Sequence, residues 1–123
     1  MTNLKEMNPT VGIKDQVMSE EDGSIVLVNV FTVDPTEEEA LVKAWKHDAD
    51  FMKNQPGYIS TQLHKGIAGS TTYINYAIWE NVESFRNAFT NPEFQKRISV
   101  YPASATISPH LFKKLAVSGH CTD

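Results

Sequence analysis

At 123 residues, 41% of them hydrophobic and 21% charged, the chain is long enough for one compact domain and too short for two. A net charge of -4 without clustered Lys and Arg excludes a nucleic-acid surface. The chain opens on no signal-peptide pattern and carries no apolar run near the ~20 residues that span a bilayer, so a cytoplasmic protein with no membrane partner is expected. Cys121, the single cysteine, lies in a polar tail and has no partner for a disulfide or a metal motif.

Residues 1–24 are polar and close on the turn signal Glu21-Asp22-Gly23-Ser24, which predicts an amino-terminal arm, with a partner subunit as the expected surface that holds it. Residues 25–33 form a strand with Ile25, Leu27, Asn29, Phe31 and Val33 on one face and Val26, Val28 and Val30 on the other, apolar on both sides. Asp34-Pro35 starts a helix, with Asp34 as N-cap and Glu37, Glu38 and Glu39 at the positive end of the dipole. Ala40, Leu41, Ala44, Trp45, Phe51 and Met52 recur at helical spacing to about Asn54, and Asp48 falls in the middle of that stripe, with His47 at its edge.

Strands follow over 58–64 and 71–80, joined by a hairpin loop with Gly66 and Gly69. In the second of these, Tyr73, Asn75, Ala77 and Trp79 share one face. A polar amide two pleats from a Trp on a buried face implies either a structural hydrogen-bond network or a pocket. Asn81 and Asn91-Pro92 cap two short helices with Val82, Phe85, Phe89 and then Phe94, Ile98, Tyr101 as buried faces. A last strand is expected over 110–117, leaving 118–123 as a tail.

The order strand, helix, strand, strand, helix, strand predicts an α+β, ferredoxin-like βαββαβ domain over residues 25–117: a four-stranded antiparallel sheet with its helices on one face. Because the first strand is apolar on both sides, the open face needs a cover, and a homodimer packed sheet to sheet as a dimeric α/β barrel is expected.

Three segments then carry a resemblance: Val28-Asn29-Val30-Phe31-Thr32-Val33, Gln55-Pro56-Gly57-Tyr58-Ile59-Ser60, and Asn75-Tyr76-Ala77-Ile78-Trp79-Glu80 followed by Phe85 and Asn91-Pro92-Glu93-Phe94. In this order they resemble the antibiotic biosynthesis monooxygenase family over about residues 25–117. The resemblance implies the dimeric ferredoxin-like barrel. Within the family it is strongest to the cofactor-independent oxygenases that oxidise anthrones to quinones, whose site asparagines and tryptophan correspond to Asn29, Asn75 and Trp79. A substrate-contacting tyrosine of some members falls on Phe85, a departure, and an arginine on Arg97. A heme-degrading branch uses an iron-binding His, but that region here reads Gln95-Lys96-Arg97-Ile98, so heme degradation is not expected.

Such chemistry needs no metal or flavin if the substrate, once deprotonated, is itself a good reductant toward oxygen. An apolar pocket would favour the anion and hold oxygen beside it. Asn29 and Asn75 would donate hydrogen bonds to an enolate oxygen and Trp79 would stack on the aromatic substrate. Asp48, desolvated in mid-stripe, is the candidate general base, against the plainer role of a paired anchor bonded to His64 or a strand hydroxyl. Phe85, Arg97, Trp45 and Tyr73 are the candidate substrate contacts, and His47 and His64 lower-ranked proton carriers, while His110 and His120 lack supporting neighbours. The expected function is a cofactor-independent monooxygenase that uses O2 on an anthrone- or hydroquinone-type substrate; the alternative is a non-catalytic dimeric barrel that binds a small apolar ligand.

Overall fold

In the computed structural model, which describes residues 3–121, a five-stranded sheet carries the helices on one face. The elements are β1 (Asn3–Leu4), α1 (Ile13–Val17), β2 (Ile25–Thr32), a 3-10 turn (Pro35–Glu37), α2 (Glu38–Met52), β3 (Tyr58–Lys65), β4 (Thr72–Trp79), α3 (Val82–Phe89), α4 (Pro92–Ile98) and β5 (Thr106–Phe112). The strand order is β1-β5-β2-β4-β3, antiparallel except for the parallel β1–β5 pair. The last four strands in that order make the ferredoxin-like sheet. The expected four strands become five because two residues of the arm pair with β5, a segment too short to show an alternating pattern.

The arm is bound to its own chain. Ile13 and Val17 are buried against Val82, Phe85 and Leu111, so one apolar face of a five-residue helix completes the core above α3 and β5. Between them, Gln16 spans the free edge of β5: its Oε1 accepts from Leu111 N at 2.9 Å and its Nε2 donates to Leu111 O at 3.0 Å. A side-chain amide thus replaces the missing strand neighbour and covers an otherwise open edge. Arg86 of α3 donates to the Val17 carbonyl at 2.9 Å and closes the arm from the other side.

The last strand runs over Thr106–Phe112 rather than 110–117. Pro109 lies within it, and its neighbours two residues away explain its fit. Ile107 and Leu111 turn their backbone groups outward, to Lys5 and to Gln16. By alternation the missing N–H of Pro109 also faces the outer edge, where no strand requires it.

Helix α2 begins three residues later than the Asp34-Pro35 signal suggests. Pro35–Glu37 forms a 3-10 turn, Asp34 makes no side-chain cap bond, and Glu37 N donates to the Asp34 carbonyl at 2.9 Å. The asparagine caps of the later helices form as the sequence indicates: Asn81 Oδ1 accepts from Ser84 N and Asn91 Oδ1 from Glu93 N, both at 2.8 Å. Gly57 enters β3 with φ +86, and a Cβ there would lie 2.2 Å from Ser84 Oγ, so both its backbone and its surroundings require glycine.

Register divides the sheet into two faces. Ile25, Leu27, Asn29 and Phe31 pair with Trp79, Ala77, Asn75 and Tyr73, and this face lies under the helices. The opposite face carries Val26, Val28 and Val30 beside Ile78, Tyr76, Ile74, Phe112 and His110, with Tyr76 and Phe112 each about 40% exposed. Among the described residues no helix is long and apolar enough to cross a membrane.

Candidate active site

Between the helix face of the sheet and helices α2, α3 and α4 lies a cavity of about 50 Å³. Strands supply its floor, including Asn29, Thr61, Asn75, Trp79 and Pro109, and the helices its roof, including Trp45, Asp48, Met52, Phe85 and Phe94. The lining is apolar except for two amides, one threonine hydroxyl, one carboxyl group and the phenols of Tyr58 and Tyr101.

The two asparagines are register partners on β2 and β4. Asn29 also pairs with Pro109 on its other side, and its Oδ1 accepts from Ser108 N at 3.1 Å. A backbone N–H can only donate, so the Asn29 amide must turn its oxygen to β5 and its nitrogen away. Asn75 Oδ1 accepts from the Thr61 hydroxyl of β3 at 2.5 Å. Neither Nδ2 has a protein partner among the described residues, and neither is sealed from accessible space.

Trp79 is 1% exposed and held edge-on by two rings, Tyr58 at 5.6 Å and Phe85 at 5.5 Å between centroids. Phe85 stacks in turn on Phe89 at 5.3 Å, so the indole sits in a continuous aromatic wall.

Asp48 reaches the cavity from the middle of α2, and its Oδ2 accepts from the Tyr101 hydroxyl at 2.9 Å. Its partner is therefore a tyrosine, not His64, which is exposed on β3. Burial pushes the Asp48 carboxyl up to about 7, against the opposing pull of the Tyr101 hydrogen bond and the Arg97 charge. Burial and the adjacent carboxylate push the Tyr101 phenol upward, so Tyr101 stays a donor. Stacking on Phe31 at 5.6 Å fixes its ring.

Of the candidate residues, Asn29, Asn75, Trp79, Asp48, Trp45 and Phe85 line one cavity. Tyr73 and Arg97 do not. Although on the same sheet face as Asn75, Tyr73 lies nearer the far end of β4 and donates to Glu38 Oε1 at 2.7 Å, with Lys65 also on that carboxylate at 3.1 Å. Arg97 is committed at the rim: it bonds Glu93 Oε2 at 2.9 Å and the His47 carbonyl at 2.6 Å, and lies over the Phe51 ring. His47 and His120 are exposed, and His110 lies on the open face of the sheet with Nε2 3.1 Å from the Gln16 amide.

Thr61 and Tyr58 escaped sequence reasoning for a specific cause. A bulge at Ile59 sets Tyr58 opposite Trp79 and Thr61 opposite Ala77, so both face the helices despite odd spacing. Strict alternation from Tyr58 puts Ser60 and Gln62 there instead. Tyr101 reads as one more apolar position after α4, and only its reach to Asp48 gives it a polar role.

Fold and cavity together define a ferredoxin-like α+β protein with an apolar site bearing two amides and a carboxyl group. The family model for antibiotic biosynthesis monooxygenases matches residues 24–98, and the chain belongs to that family. It is accordingly an oxidoreductase of the monooxygenase type. It is 30% identical over 90 residues to deoxynogalonate monooxygenase of Streptomyces nogalater, covering 72% of this chain and 74% of that one. The crystal structure of SnoaB, a cofactor-independent oxygenase from Streptomyces nogalater, superimposes with a TM-score of 0.67 at 27% identity, covering 80% of this chain and 99% of that one. Rv0793 from Mycobacterium tuberculosis, at 11% identity, TM-score 0.64 and coverage of 78% and 99%, shares the fold alone.

Proposed function

We propose that the protein is a cofactor-independent monooxygenase that oxidises an anthrone- or hydroquinone-type aromatic substrate to a quinone with O2. The observation that carries this reading is the convergence of Asn29, Asn75 and Asp48 in one aromatic-lined cavity. In an anthrone the methylene across the central ring from the carbonyl is acidic because its conjugate base is a fully aromatic enolate with its charge shared with the carbonyl oxygen. Asp48 takes that proton, and the amide nitrogens of Asn29 and Asn75 donate to the enolate oxygen where charge develops. The carbanion passes one electron to O2, giving a substrate radical and superoxide. Their combination gives a peroxide at the former methylene carbon. Loss of the remaining C–H proton and cleavage of the O–O bond then leave a carbonyl there and release the second oxygen as water. One oxygen atom enters the product, and the four electrons that reduce O2 come from the C–H bonds of the substrate.

The cavity is smaller than the ~150 Å³ that holds a benzene ring. Substrate entry therefore requires side chains to move, and Met52 and the half-buried Trp45 on α2 are suited to it, Met through its flexible thioether chain.

The same reading includes a homodimer. Half-buried Val28, Val30, Ile74 and Ile78, with Tyr76 and Phe112 exposed beside them, form an apolar sheet face that the same face of a second subunit would cover.

Oxygen uptake by metal-free and flavin-free protein given anthrone and hydroquinone substrates tests the proposal. Uptake matched by quinone formation is the expected result. No uptake across the panel, with an aromatic ligand still bound, would overturn it in favour of a non-catalytic barrel.

A further inference from the structure

We propose that Thr61 is a positioning residue that aims the Asn75 amide, so that Asn29 and Asn75 present paired N–H donors to a single anionic oxygen of an enolate or phenolate. The inference rests on the proposed oxygenase reading for its place in a reaction, but its physical content is a receptor for an oxyanion.

The geometry starts from the register. Asn29 and Asn75 are directly opposite on adjacent antiparallel strands, which sets their Cα atoms about 4.5–5.5 Å apart and their side chains side by side. A free asparagine side chain can turn either its oxygen or its nitrogen to a ligand, and an anion tolerates only the nitrogen. Each amide therefore needs a tether on its oxygen. Asn29 has one that cannot be reversed, the Ser108 backbone N–H. Asn75 has no backbone tether among the described residues, and the Thr61 hydroxyl takes that place. The bond runs from the Thr61 hydroxyl to the Asn75 amide oxygen, so it holds Oδ1 toward β3.

The tethers come from opposite sides, β5 for Asn29 and β3 for Asn75. With both oxygens drawn outward, both nitrogens are left between them, over the β2–β4 seam, where neither meets a protein acceptor among the described residues. The β3 bulge at Ile59 is what brings Thr61 onto this face at all. A two-donor site of this kind lowers the pKa of a bound phenol, because it binds the phenolate more tightly than the phenol.

Absorbance titration of 4-nitrophenol with the full chain reads this directly, independently of oxygenase activity. The wild-type protein is expected to lower the pKa of the bound phenol. Thr61→Ser keeps the hydroxyl and should retain the shift, whereas Thr61→Val, which preserves shape and strand preference, should lose at least half of it. A wild-type protein that leaves the titration of 4-nitrophenol unperturbed, or an equal shift in wild type and Thr61→Val, would overturn the proposal. The side-chain amide resonance of Asn75, identified by its loss in Asn75→Ala, gives a ligand-free measure: Thr61→Val should move it and Thr61→Ser should not, and an unmoved resonance in Thr61→Val overturns the tether. On an accepted anthrone, Thr61→Val should lower kcat by about tenfold to a hundredfold with KM little changed, within the cost of losing one oxyanion donor. Absence of oxygen uptake by the wild type together with a perturbed phenol would defeat the oxygenase reading and leave the receptor standing.

Discussion

Asn29 on β2 stands directly opposite Asn75 on β4, and each has its amide oxygen engaged by a different flanking strand. If these amides stabilise a developing enolate, Asn29→Ala and Asn75→Ala should each lower kcat by about a hundredfold or more. Steady-state oxygen uptake on one accepted substrate measures this. A rise in KM with kcat unchanged would instead assign the amides to uniform binding.

Asp48 supplies a pH signature. Its carboxyl is pushed up to about 7 by burial, so the basic form accumulates as pH rises through that value. The rate should therefore climb between about pH 6 and 8, and Asp48→Asn should remove that limb and cost about 100-fold or more in kcat. Stability runs the other way. The folded state holds a proton that the unfolded chain releases near the ordinary carboxylate value, so Asp48 lowers stability progressively as pH rises from about 4 to about 7. Asp48→Asn should flatten that slope in urea unfolding at a series of pH values. An unchanged pH–rate profile would remove the base role.

Trp79 packs in the core and also lines the cavity. It is 1% exposed within a ring cluster, so Trp79→Ala should destabilise the fold by about 3–5 kcal/mol, read from the urea midpoint. Trp79→Phe keeps much of the aromatic contact and should separate the effects, with stability largely retained and turnover reduced.

The open face of the sheet makes a prediction about assembly. Tyr76 lies on it directly opposite Val28, and Tyr76→Lys places a charge among Val28, Ile74 and Ile78. Sedimentation should show a dimer for the wild type and monomer for this variant. A wild-type monomer at micromolar concentration would remove the dimer from the reading.

Much of the ferredoxin-like core was legible because the relevant signals are local. Two-sided apolarity marked β2, helical periodicity marked α2, and asparagine caps marked α3 and α4. The shared face of Asn75, Ala77 and Trp79 followed from alternation alone, since β4 pairs regularly with β2. What escaped were features defined by a distant partner. Pro109 is permitted only because its edge-facing backbone meets no strand, and Gln16 is a structural residue only because Leu111 lies across from it. The bulge at Ile59 inverts the faces of β3, and no periodic reading from Tyr58 recovers Thr61 as a cavity residue. Tyr73 shows the converse: alternation places it correctly on the helix face, but position along β4 gives it to Glu38 instead of to the cavity.

The β5 edge that Gln16 covers bears on how the protein can be shortened. The family-matched segment ends at residue 98, before β5, although β5 lies between β1 and β2 and gives Pro109 to the cavity floor. Removing the first 20 residues would also uncover Ile25, Val82 and Leu111 together with a row of unpaired backbone groups on β5. A trimmed version is therefore expected to self-associate through that edge, while Gln16→Glu, which keeps the acceptor but loses the donor, should show a milder form of the same defect.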